Sequence, residues 1–163
     1  MKLYYLPLLF FILTGCNRSA TNTRQLQARI DSLEQKLSAT YKPGFGEFMS
    51  GIQVHHAKLW FAGINNNWEL ANFEVHEIME ALDDLQTFQT ERKETKNLPM
   101  LNPALDSVNK AIQEKNAVLF KNSFILLTAT CNNCHKAVEF SFNEVKIPET
   151  PPFSNQVFTK KGE

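Results

Sequence analysis

Apolar positions recur along most of this chain at spacings of three and four, the period of a helix with one buried stripe. Leu26, Ile30, Leu33 and Leu37 follow one another at 4, 3 and 4, a short heptad stripe that predicts a polar helix over Thr23 to Ser38. Tyr41-Lys42-Pro43-Gly44-Phe45-Gly46 then breaks the pattern. A second helix is expected from Phe45 to Phe61, with Phe45, Phe48/Met49, Ile52, His56 and Leu59/Trp60 on its apolar face, and a turn from Ala62 to Asn67. Trp68, Ala71, Val75, Ile78, Leu82 and Leu85 give the cleanest seam, in a helix from Trp68 to about Glu91. Thr90 to Asn97 is charged and reads as a loop.

Pro103 suits the first turn of a further helix, where its missing N–H costs nothing. The stripe there is Leu105, Val108 and Ala111/Ile112, and Glu114-Lys115-Asn116 ends it. A last helix is expected from Ala117 to Phe140, with Phe120, Phe124, Leu127, Cys131, Cys134/His135 and Val138 on one face. Phe124 to Thr130 also fits a buried strand, which before Cys-x-x-Cys would suggest a thioredoxin-like fold. No other strands alternate with the helices, so the fold class expected is all-α: an antiparallel four-helix bundle, residues 43–145, behind a short tether helix. The tail from Lys146 carries Pro148, Pro151 and Pro152 and reads as an extended strap, residues 146–163, with Phe153 and Phe158 as anchors.

The N-terminus adds a destination. Lys2 precedes an apolar run from Tyr4 to Leu13, too short to span a bilayer and fitting a signal-peptide core. Leu13-Thr14-Gly15-Cys16 looks like a bacterial lipobox. Residues 1–15 are then removed, Cys16 carries lipid, and residues 16–42 tether the domain to a membrane on its periplasmic side. The heptad stripe suits a homodimer or a solvated spacer. Zero formal net charge, with no basic stripe, argues against a nucleic-acid partner. Thirteen Phe against six Gly favour a helical core of large side chains.

Of three cysteines, Cys16 is assigned to lipid, so Cys131 and Cys134 have no other disulfide partner. Both lie in Cys131-Asn132-Asn133-Cys134-His135, a c-type haem-attachment pattern. On a helix the positions i, i+3 and i+4 share one face. The two thiols there reach the two haem vinyl groups, and His135 meets the iron as proximal ligand. Met49 is the favoured distal ligand and His56 the alternative; Met79 is a further thioether, and His55 is turned toward the rim. Trp60, Trp68 and Phe124 are candidates to pack on the ring. A zinc site or a redox dithiol explains the motif less completely, since zinc wants four ligands and a dithiol does not need His135.

The order of parts resembles the cytochrome c′ family of four-helix-bundle cytochromes, in which Cys-x-x-Cys-His lies in the last helix. The resemblance covers roughly residues 45 to 140. It rests on Leu101 to Phe140, with the break at Glu114-Lys115-Asn116, then Phe120, Phe124 and the five-residue motif. It implies one covalently held haem c, and Met49 stands where low-spin relatives place a second axial Met. The chain departs from the family in placing Lys136 directly after the motif and in running on to Glu163. The function expected is a lipid-anchored monohaem electron carrier, not an enzyme, whose redox partner the residues do not name. The alternatives are a five-coordinate protein binding NO or CO and, more remotely, a thiol–disulfide redox protein.

Overall fold

The structure, a computed structural model, describes residues 17–38, 40 and 43–160. Cys16 and the expected signal segment lie outside the described residues. Within them the chain is all-helical: α1 (Asn17–Ser38), α2 (Phe45–Ile64), α3 (Trp68–Phe88), a 3-10 segment (Thr95–Leu101), α4 (Asn102–Gln113) and α5 (Ala117–Ala137). Phe124 to Thr130 lies inside α5, which settles its local structure as helix. No described helix is long and apolar enough to cross a membrane.

The chain divides into two units, with α1 in one and everything from Pro43 in the other. α1 starts at Asn17, earlier than the stripe alone implied. Leu26, Ile30, Leu33 and Leu37 on it are about half exposed or more.

In the second unit α2 packs on α3, α3 on α4, α4 on α5 and α5 back on α2, closing a ring of four. The core holds Leu59 and Ala62 from α2, Ala71, Val75, Ile78, Leu82 and Leu85 from α3, Leu105, Val108 and Ile112 from α4, and Phe120, Phe124 and Leu127 from α5. The predicted seams of the last three helices are therefore the buried ones. Thr95, Leu98 and Leu101 are buried along one edge of the 3-10 segment, where a polar loop was expected up to Asn97. A 3-10 segment repeats every three residues; that period escapes a search for spacings of three and four together.

Two tight turns set the connections, and neither contains glycine. After α2, Asn66 adopts a left-handed φ of 57°. The N–H of Asn66 then donates to the Gly63 carbonyl (3.1 Å) and that of Asn67 to the Ala62 carbonyl (2.9 Å). This is the paired closure of a Schellman motif. Asn67 at once caps α3, its side-chain oxygen accepting from the Leu70 N–H at 3.3 Å. The same device recurs after α4: Lys115 has φ 52°, Asn116 N–H donates to Ala111 (3.0 Å), and the Asn116 side chain caps α5 through Val118 and Leu119. One residue closes one helix and opens the next, so each reversal takes three residues. Short reversals make neighbouring helices antiparallel.

The third left-handed residue, Glu139 at φ 70°, ends α5 at Ala137 instead of the expected Phe140. Beyond it the chain carries no helix up to Lys160. Phe158 is buried against the ring of Phe61, centroids 5.7 Å apart. Phe153 is exposed.

α2 meets α5 closely at one point. A Cβ on Gly63 would stand 2.1 Å from Phe120 ring carbons. Phe120 is fully buried, with Trp60, Trp68 and Phe124 rings around it at 6.4, 6.1 and 5.9 Å. Only a residue without a side chain lets the helix reach that ring.

Candidate functional site

Met49 and His56 of α2, and Cys131, Cys134 and His135 of α5, line a single cavity. It has a volume of about 230 Å³. Met49 and His56 stand on the α2 wall, and Cys131, Cys134 and His135 on the α5 wall. Ile52, Ile78, Leu82, Leu101, Leu105 and Leu127 supply apolar surface between them. Ser50 and Gln53, beside Met49 on α2, add polar groups. The wall is completed by Asn143 and Val145, which follow α5.

His135 has one ring nitrogen already committed. Its Nδ1 lies 2.6 Å from the Asn143 carbonyl oxygen. A carbonyl only accepts, so Nδ1 carries the proton and donates. In the neutral ring that leaves the lone pair on Nε2. A histidine that ligates a metal is held in this way, with one nitrogen donating to a carbonyl and the other free.

His56 is arranged differently. Its Nε2 lies 2.9 Å from the Thr128 hydroxyl oxygen. That hydroxyl gives its own hydrogen to the Phe124 carbonyl, also at 2.9 Å, and so accepts from His56. The ring lies 4.5 Å, centroid to centroid, from that of Phe124. Burial lowers the His56 pKa from 6.5 to about 4, because a charged imidazolium loses its hydration there. His56 is thus neutral, with Nε2 occupied by Thr128. Met49, half-buried on the same wall, has no hydrogen bond to give up.

Both thiols are weaker acids than a free cysteine. Burial, and then the neighbouring Cys134, push the Cys131 pKa up to about 12; burial raises that of Cys134 as well. A thiol–disulfide enzyme needs the reverse, a thiol whose pKa falls toward neutrality. Both cysteines are free in the structure.

Trp60, Trp68 and Phe124 do not line the cavity wall. They pack round Phe120 instead, the placement their large apolar area favours. Met79 also packs against the core and not on the cavity. His55, expected at the rim, is instead drawn into an ion cluster. Its Nδ1 is 2.6 Å from Glu74, a fully buried carboxylate that also meets Lys58 at 2.7 Å. Glu74 falls between Ala71 and Val75 on the α3 seam, with His55 and Lys58 spaced i, i+3 on α2. A charged residue on a seam facing two bases is a signal the sequence carries. Asn132 and Asn143, whose hydrogen bonds tie the segment after α5 to that helix, carry none.

Among the described residues no three or more His, Cys, Asp or Glu side chains gather as a metal-binding group. A haem iron does not require one. The porphyrin supplies four bonds and the protein only axial ligands. On that measure the donor set fits: two thiols one turn apart, an imidazole with a free Nε2, a thioether on the facing wall, and apolar sides. At about 230 Å³ the cavity falls below the roughly 300–1,000 Å³ of ordinary small-molecule pockets. A bound macrocycle would part the walls or keep an edge at the surface.

Comparison with protein-family models, with curated proteins and with solved structures finds no match to this chain.

Proposed function

We propose that this chain is a monohaem c-type cytochrome that carries electrons, lipid-anchored through Cys16 and facing the periplasm. In this reading residues 43–145 form an antiparallel four-helix bundle around one covalently attached haem c. The supporting observation is that Cys131, Cys134, His135 and Met49 share one cavity, with His135 Nδ1 bound to a carbonyl so that its Nε2 is available.

The haem, once bound, supplies one-electron exchange between ferrous and ferric iron. Cys131 and Cys134 would hold the group by adding across its two vinyls, sulfur to one carbon and hydrogen to the other, so that attachment would consume no oxidant. His135 would offer Nε2 to the iron, and its hydrogen bond to the Asn143 carbonyl would strengthen that donor. Met49 would be the second protein ligand, a thioether that would raise the reduction potential and suit electron transfer over gas binding. His56 stays with Thr128 as a neutral wall residue. The leucine and isoleucine walls would keep water from the metal.

The test is production in a host with haem-attachment machinery, followed by acid–organic solvent extraction and a reduced spectrum. Haem that stays with the protein, and low-spin six-coordinate bands, are expected. Loss of all haem to the solvent refutes covalent attachment. A high-spin reduced spectrum with fast carbon monoxide binding replaces electron transfer by gas binding.

A further inference from the structure

The segment after α5 folds back over the attachment pattern. The turn at Glu139 starts this: the Phe140 N–H donates to the His135 carbonyl at 2.8 Å, closing a Schellman reversal. A further turn, Asn143 N–H to the Phe140 carbonyl at 2.9 Å, follows at once. The Asn143 carbonyl so arrives at His135 Nδ1. Two turns in an exposed stretch do not by themselves hold a carbonyl in place, since such segments open readily.

Two residues further on the segment is tied down. The Asn132 side-chain N–H donates to the Val145 carbonyl at 2.8 Å, and the Val145 N–H donates to the Asn132 side-chain oxygen at 2.8 Å. One side-chain amide thus satisfies both backbone groups of Val145, as a neighbouring strand would. Asn132 takes no part in ending α5; the N–H groups of Val138, Glu139 and Phe140 close that helix. It lies between the two cysteines, three residues before His135. The same helical turn therefore carries the imidazole and the clamp that holds the imidazole's partner.

We propose that Asn132 is a positioning residue: through Val145 it holds the Asn143 carbonyl on His135 Nδ1, and so keeps His135 Nε2 available as a donor. The step from this donor to an iron rests on the cytochrome reading; the clamp and the ring's protonation do not. Both bonds need an amide of this length. Alanine removes both. Aspartate keeps an acceptor for the Val145 N–H but sets a carboxylate against the Val145 carbonyl.

The experiment compares full-length wild type, Asn132→Ala, Asn132→Asp and, as a variant that lowers stability away from the segment, Gly63→Ala. In haem-loaded protein the reduction potential is titrated. A weaker hydrogen bond at Nδ1 makes Nε2 a poorer donor to ferric iron, so both Asn132 variants shift positive and Gly63→Ala stays at the wild-type value. An unmoved potential in Asn132→Ala, or an equal movement in Gly63→Ala, overturns the proposal. In haem-free protein, nitrogen–proton NMR of the neutral His135 ring reads which nitrogen is protonated. Nδ1–H is expected in wild type, with most of the population moving to Nε2–H in Asn132→Ala. The same tautomer in both sinks the clamp. Should wild type take up no covalent haem, the cytochrome reading fails alone, and the tautomer measurement still decides the role of Asn132.

Discussion

Replacing Gly63 by alanine tests the close approach of α2 to α5. The added methyl would lie 2.1 Å from two carbons of the Phe120 ring and 2.6 Å from a third, where carbon–carbon contacts optimally lie about 3.5–4.0 Å apart. Something must move by more than an ångström. The ring has nowhere to go, being fully buried among Trp60, Trp68 and Phe124. Overpacking of a tight core costs about 1–3 kcal/mol, and this contact belongs at the upper end. Alanine returns at most about 1 kcal/mol of helix propensity, less near a helix end. The net loss expected is about 2 kcal/mol, or very roughly 8 °C in Tm for a unit of this size. Urea unfolding should show a lower midpoint at unchanged slope. Phe120→Leu, which shortens the obstructing side chain, should make Gly63→Ala at least about 1 kcal/mol less costly when the two are combined. A Gly63→Ala protein as stable as wild type, or strict additivity of the pair, refutes the steric argument.

Three further outcomes are expected. His56 is held neutral when folded and takes a proton below about pH 6.5 when unfolded, so stability is full above that pH and falls toward pH 4. At about 1.4 kcal/mol per pH unit the ceiling is about 3 kcal/mol, and unfolding of His56→Gln measured between pH 7 and 4.5 should show a flatter dependence. Lys115→Gly removes a left-handed strain of about 1 kcal/mol or more against an unfolded-state entropy cost of about 0.4–1 kcal/mol. It should raise the unfolding midpoint slightly, and a lower midpoint would refute strain at that turn. Met49→Ala in haem-loaded protein should turn the reduced spectrum high-spin and admit carbon monoxide; an unchanged low-spin spectrum removes Met49 as ligand.

Most of the fold was legible because the seams are long. Ala71 to Leu85 keeps its period over four turns, and every seam residue in that run is buried. The ends were less legible. Helix termination is usually announced by glycine, and here Asn66, Lys115 and Glu139 take the left-handed position without it. α2 accordingly runs on through Ile64, past a Gly63 that looked like a stop and serves packing instead. At the site, Cys131, Cys134 and His135 were readable from spacing alone, and periodicity put Met49 and His56 on the facing stripe. The hydrogen bond that His56 makes and Met49 does not was invisible in the sequence: Thr128 lies 72 positions from His56. The hydrogen bond from Asn132 to Val145 likewise joins residues across a reversal that no composition marks.

The burial of the thiols bears on the order of events in making this protein. In the folded chain Cys134 is 6% exposed, while Cys131 is half-buried, with burial pushing its thiol pKa up to about 12. A helix already packed presents the Cys134 sulfur poorly to an enzyme that would join it to a vinyl group. On the proposed reading attachment therefore precedes closure of the bundle, while α5 is still open. The core of Phe120, Phe124 and Leu127 is then assembled around a chain already carrying its cofactor. On the same reading, a chain that folds first would keep its Cys134 thiol out of reach of the machinery that would mature it.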